Sequence, residues 1–114
     1  MQPDKSQQLA VCVRLNVEPQ LPPRGAKLGI ALATIGLEPL NGLRHPPEEG
    51  TSGWFIWGGV EFSEDADFFQ PLHISHMSAQ CPRAIPYLAL PPGWRFLVAP
   101  AYEDVWFDSS LLVL

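Results

Sequence analysis

The sequence predicts an α+β domain in which a mainly antiparallel sheet of four or five strands packs with two helical segments. Three observations carry that expectation. The run Gly53-Trp54-Phe55-Ile56-Trp57-Gly58-Gly59 holds aromatic and β-branched residues between glycines and has no polar side, as a central strand covered on both faces requires. Thirteen prolines and nine glycines cut the 114 residues into short elements, which argues against a bundle of long helices. A composition 46% apolar and only 17% charged describes a folded chain with a partly apolar surface, at a length suited to one core.

Residues 1–8 are polar and read as a flexible N-terminal tail, leaving a single domain over 9–114. From Leu9, the residues Val11, Val13, Leu15 and Val17 alternate with Ala10, Cys12, Arg14 and Asn16, the pattern of a half-buried edge strand over 9–17. Pro19, Pro22 and Pro23 end it. Pro22-Pro23 also suits a helix start, and Leu28, Ala31, Leu32 and Ile35 fall at helical spacing, so residues 24–37 are expected to be a helix. Its stripe of Gly25, Gly29, Ala33 and Gly36 would let the backbone lie close to the sheet; the phosphate-binding glycine fingerprints are absent. Residues 38–53 read as a long loop of the kind that often carries function, with Arg44 and His45 as its candidate functional residues. The alternative role for Arg44 is to fasten the loop through carbonyl hydrogen bonds.

In the central strand, side-chain alternation puts Phe55 and Trp57 on one face and Trp54 and Ile56 on the other. The segment after it carries Glu61, Glu64, Asp65 and Asp67 without the glycine or spacing of a calcium loop, and reads as a solvated acidic turn. Residues 71–90 are expected to form one helix, or two broken at Pro82 and Pro86, with Ile74, Met77, Cys81 and Ile85 facing the sheet. His73 and His76 would share a helix face with Cys81 as a third ligand, but the spacing is not that of a zinc helix, so no metal or other cofactor is expected. Trp94–Ala99 and Glu103–Asp108 should pair as a hairpin, with Val105 and Phe107 inward and Trp106 outward. The apolar tail from Leu111 to Leu114 should pack on the domain or on a second copy.

A net charge of −5 argues against nucleic-acid binding and allows a basic protein partner. Nothing resembles a membrane span or a signal peptide, so a cytoplasmic protein is expected, with Cys12 and Cys81 as core thiols. Two acidic groups, Glu64, Asp65 and Asp67 on the turn and Tyr102, Glu103, Asp104 and Trp106 on the hairpin, form the candidate partner-binding surface. There Trp106 or Tyr102 would anchor a basic partner and the carboxylates would steer it; the alternative is that Trp106 covers the sheet's second face and the carboxylates keep the protein soluble.

The segments Asn41-Gly42-Leu43-Arg44-His45-Pro46, Gly53 to Gly59, Phe68-Phe69-Gln70-Pro71-Leu72-His73, Leu90-Pro91-Pro92-Gly93-Trp94-Arg95-Phe96 and Tyr102 to Asp108 together carry a resemblance. They are similar to immunity protein thirty-three and its relatives, small bacterial domains predicted to neutralise toxins of polymorphic toxin systems. The similarity spans roughly residues 24 to 112. It implies a non-enzymatic binding protein whose partner is a protein toxin. Two other classes stay open: a small metal-dependent enzyme using His73 and His76 with Asp67 and Arg44, and a structural subunit that forms a homodimer.

Overall fold

The computed structural model describes residues 5–23, 25–61, 63, 65 and 67–112. Its strands are β1 (Lys27–Ile30), β2 (Leu40–Arg44), β3 (Thr51–Gly58), β4 (Gln70–His73), β5 (Trp94–Ala99) and β6 (Tyr102–Phe107). They form one sheet in the order β4-β1-β3-β2-β5-β6. β1 runs parallel to β3 and the other four pairings are antiparallel, so the sheet is mixed and six-stranded rather than four- or five-stranded. The central strand lies where its two apolar faces demand. Trp54 and Ile56 enter the main core, while Trp57 and Phe55 belong to a smaller cluster on the opposite face.

The expected edge strand over 9–17 is instead part of helix α1 (Lys5–Leu15), so the N-terminal helical residues begin within the segment read as a tail. Val11, Cys12 and Leu15 satisfy helical spacing as well as alternation, and the helix buries Gln8, Val11 and Cys12 while Val13 stays 79% exposed. Its end is a Schellman cap. Asn16 takes φ 57°, its N–H donates to Val13 O at 3.1 Å, and the Val17 N–H donates to Cys12 O at 3.0 Å.

The helix expected over 24–37 is strand β1 followed by a 3₁₀ turn, Leu32–Thr34. Leu28 and Ile30 point into the main core, and Gly29 lies beneath the Phe55 ring, where an added Cβ would stand 2.9 Å from Cδ1. The expected stripe does not bring backbone close to the sheet: the space at Gly29 is taken by side chains, and among the described residues nothing beyond the chain neighbours lies within 4 Å of a Cβ added at Gly25 or Gly36. Similarly, the loop expected over 38–53 contains β2, which sits between β3 and β5. Asn41-Gly42 is a strand dipeptide because Gly42 makes room for the Phe96 ring.

Within 71–90, the single or broken helix is replaced by the end of β4, a 3₁₀ turn at Ile74–His76, a short helix α2 (Met77–Gln80) and a 3₁₀ segment at Pro82–Tyr87. The prolines forbid a longer helix. Ile74, Met77, Cys81 and Ile85 are nevertheless all buried, and with α1 they cover one face of the sheet. Cys12 and Cys81 are free thiols in this same core. The second face carries thinner cover from Phe68, Phe69 and Leu111, the last from a 3₁₀ turn at Ser109–Leu112; residues 113 and 114 of the apolar tail lie outside the described residues. The hairpin pairs as expected, Trp94 opposite Phe107 and Arg95 opposite Trp106, although Phe107 is 49% exposed rather than turned into the core.

The Gly42 position yields a direct test. A Cβ there would lie 2.1 Å from Phe96 Cε2, and that ring is already stacked on Tyr87 at 4.5 Å and tilted against Trp54 at 5.7 Å. Gly42→Ala is therefore expected to destabilise the protein by roughly 1–3 kcal/mol through overpacking. Urea unfolding checks this; unchanged stability would show that Phe96 is free to move.

Candidate functional site

Arg44 ends β2 at a position that alternation turns into the main core, and it is 1% exposed. Its Nε donates to Ser52 O at 2.8 Å, and one terminal nitrogen donates to Gln20 O at 2.7 Å, Leu90 O at 2.8 Å and Leu88 O at 3.4 Å. The guanidinium carbon is 5.8 Å from the centroid of the Trp54 ring. No carboxylate of the described residues pairs with it, and burial lowers its pKa to about 10, so it remains a cation at neutral pH. Arg44 is the fastener that its proline-rich surroundings called for. Buried this deeply, it offers no contact to a partner.

His45 follows at the surface. Its Nδ1 lies 3.2 Å from Leu111 O, and since a carbonyl only accepts, this nitrogen carries the proton. The ring meets Phe55 edge-on at 5.7 Å. Together with Lys27, Glu48, Phe55, Phe69 and Gln70 it lines a pocket of about 500 Å³ on the second face of the sheet.

The acidic turn and the hairpin occupy the same rim of the sheet, because β3 and β5 are both antiparallel to β2 and therefore end on one side. They are well apart along it. The turn leaves β3, three strands from β6, and enters β4 at the far edge, separations of roughly 14 and 24 Å at about 4.8 Å per strand. Asp65 and Asp67 are exposed, and Ser63 Oγ accepts from the Asp65 N–H at 3.1 Å; Glu64 lies outside the described residues.

On β6, alternation divides the candidates between two faces. Tyr102, Asp104 and Trp106 share the face where Arg95 lies 5.4 Å above the Trp106 ring and binds Asp108 Oδ2 at 3.1 Å. Glu103 points to the helical side. There its Oε1 accepts from Arg14 at 2.8 Å and its Oε2 accepts the Tyr87 hydroxyl, joining β6 to α1 and to the 3₁₀ segment. The hydrogen bond from Arg14, then that from Tyr87, holds the Glu103 carboxyl below the usual value, while burial first and Glu103 second push the Tyr87 phenol up. Sequence reading missed this triad because its members are 16 and 89 positions apart. The one available signal was Tyr87 itself, a phenol in an apolar run that needs a partner once buried.

The residues of the enzyme reading are not gathered. His73 ends β4 and His76 ends the 3₁₀ turn, so they do not share a helix face; their rings are 5.9 Å apart and both are exposed. Arg44 is three strands from β4, roughly 14 Å away at about 4.8 Å per strand. Cys81 is buried, and among the described residues no group of three or more histidine, cysteine or acidic side chains is placed to hold a metal ion.

Two expectations follow. Arg44→Met should cost about 3 kcal/mol or more, since buried acceptors left without donors lose roughly 1–3 kcal/mol each; denaturant unfolding measures it, and a loss below 1 kcal/mol would contradict the fastening role. For Glu103, the lowered pKa means that its contribution is present above the ordinary value near 4.5 and is lost as pH falls through the folded-state value. Glu103→Gln should thus be less stable than the wild type at neutral pH, by at most about 1 kcal/mol for so exposed a pair, and the gap should close in acid. A gap independent of pH would exclude the carboxylate as its source.

Comparison with known proteins adds one finding. The family model described as the Imm33-like domain matches residues 7–108. No curated protein and no solved structure gives a significant match to the chain.

Proposed function

The chain belongs to the Imm33-like domain family, and from that premise we propose that it is a non-enzymatic binding protein that neutralises a bacterial protein toxin in the cytoplasm by covering a surface the toxin needs. The observation that carries the proposal is the family match over 7–108, nearly the whole chain. No helix among the described residues is long and apolar enough to cross a membrane, in keeping with an interface reached from solution.

The working surface in this reading is the hairpin face bearing Tyr102, Asp104 and Trp106. Tyr102 is the anchor, because it is 57% exposed while Trp106 is half-buried beneath Arg95. Partner binding concentrates in such aromatic side chains, and surrounding carboxylates chiefly speed encounter with a basic surface. Glu64, Asp65 and Asp67 are the steering group. The Glu103 side chain, held by Arg14 and Tyr87, sets the position of β6 and is not among the steering carboxylates.

Co-expression with the product of the adjacent gene, followed by binding kinetics on the purified pair, tests the reading. Tyr102→Ala should weaken the complex by about 2 kcal/mol, near thirtyfold. Asp65→Asn with Asp67→Asn should slow association at low salt and leave dissociation nearly unchanged. Unchanged affinity in the first variant would remove the hairpin from the interface, and a failure of the pair to bind or to protect cells would count against the immunity role itself.

A further inference from the structure

β6 is an edge strand, bonded to β5 alone. Just beyond it the Asp108 N–H donates to Gly93 O. In an antiparallel ladder backbone groups alternate in direction, so Tyr102, Asp104 and Trp106 turn theirs towards β5 while Glu103, Val105 and Phe107 turn theirs outward. Among the described residues, no backbone or side-chain group bonds to those outward N–H and C=O groups.

The two edges of the sheet differ. β4 is four residues long and contains Pro71, whereas β6 is six residues long and lacks proline and lysine; its charges are Glu103, tied to Arg14 and Tyr87, and Asp104, which would favour a basic strand over an acidic one. Among the described residues the chain does not cover β6 from its own C-terminal side, because after Phe107 it passes under the second face, where Leu111 joins Leu43 and Trp57. α1 meets β6 from the helical face, through the Arg14–Glu103 pair.

We propose that the free edge of β6 receives an extended segment of a protein partner as a seventh strand, with basic side chains towards Asp104 and apolar side chains towards Val105 and Phe107. This rests on the reading that the chain binds a protein, and it names the mode. The flanking chemistry selects the occupant. Asp104 is exposed and has no ion pair among the described residues, and on the opposite face Phe107 is 49% exposed beside half-buried Val105. A second copy fits less well: matching the outward groups pairs Val105 with its equivalent and leaves the two Asp104 carboxylates as diagonal neighbours about 7–8 Å apart. Each copy would also bring a net charge of −5.

Amide hydrogen exchange on the ¹⁵N-labelled full chain tests this, with a capped peptide of alternating lysine and valine as the probe. The same peptide N-methylated at alternate residues is the control, since it keeps charge and side chains but cannot complete the ladder. At peptide concentrations near ten times the dissociation constant, the amides of Glu103, Val105 and Phe107 should exchange about tenfold more slowly. Those of Asp104 and Trp106, already bonded to β5, should not change. Absent or non-alternating protection, or equal protection by the N-methylated peptide, would overturn the proposal. Protection of the three amides that rises with protein concentration alone would assign the edge to a second copy and overturn it too. A toxin that binds without protecting these amides would refute the added strand while leaving the immunity reading intact; protection by the peptide, together with failure of the adjacent gene product to bind, would support the added strand and count against the immunity reading.

Discussion

A guanidinium buried with no carboxylate partner among the described residues must be held by dipoles, and at Arg44 those dipoles belong to three separate stretches of backbone. Gln20 lies in the chain leaving α1, Ser52 at the start of β3, and Leu88 and Leu90 at the exit from the helical segment. Leu88 O also accepts the Trp54 indole N–H at 2.9 Å, so the central strand is tied to the same point. Gln20, Leu88 and Leu90 lie in irregular segments, whereas Ser52 belongs to β3, so one side chain ties the irregular connections to the sheet.

This junction explains why the two faces of the sheet are built so differently. On the helical face, Trp54, Ile56 and Phe96 meet a layer that Arg44 and the Glu103–Tyr87–Arg14 triad hold at two places. On the other face, cover consists of short connections bearing Phe68, Phe69 and Leu111; the Phe69 ring meets Phe55 and Trp57 edge to face, and Phe68 meets Phe69 in the same way. That face keeps both the His45-lined pocket and the open side of the hairpin. The layer on one side is fastened at two points, whereas the other face is the more open of the two.

How much of this was legible in the sequence depended on whether a pattern had one solution or two. The run from Trp54 to Trp57 is apolar on both sides and was readable as a central strand, as was the hairpin from Trp94 to Phe107. Val11 and Leu15 fit a period of two and a spacing of four equally well, and only packing against the Pro82–Tyr87 segment decides for the helix. Gly29 and Gly42 carry no side-chain signal of their own; their place in strands follows from Phe55 and Phe96, rings distant in sequence that need the space. For the candidate site, the exposure of Tyr102 and Asp104 could be anticipated from alternation on an edge. The diversion of Glu103 to Arg14 and Tyr87 could not, because it is a consequence of tertiary packing.

The buried thiols supply a consequence of another kind. Cys12 sits on α1 and Cys81 at the end of α2, 1% and 3% exposed in one core, and burial raises the pKa of both. A thiol reagent needs both access and thiolate, so neither sulfur reacts until its surroundings part. The two cysteines therefore act as built-in timers of opening: labelling at matched rates would mean that the helical layer comes away as a unit, and labelling of Cys12 first would mean that α1 peels from the sheet while the rest stays closed.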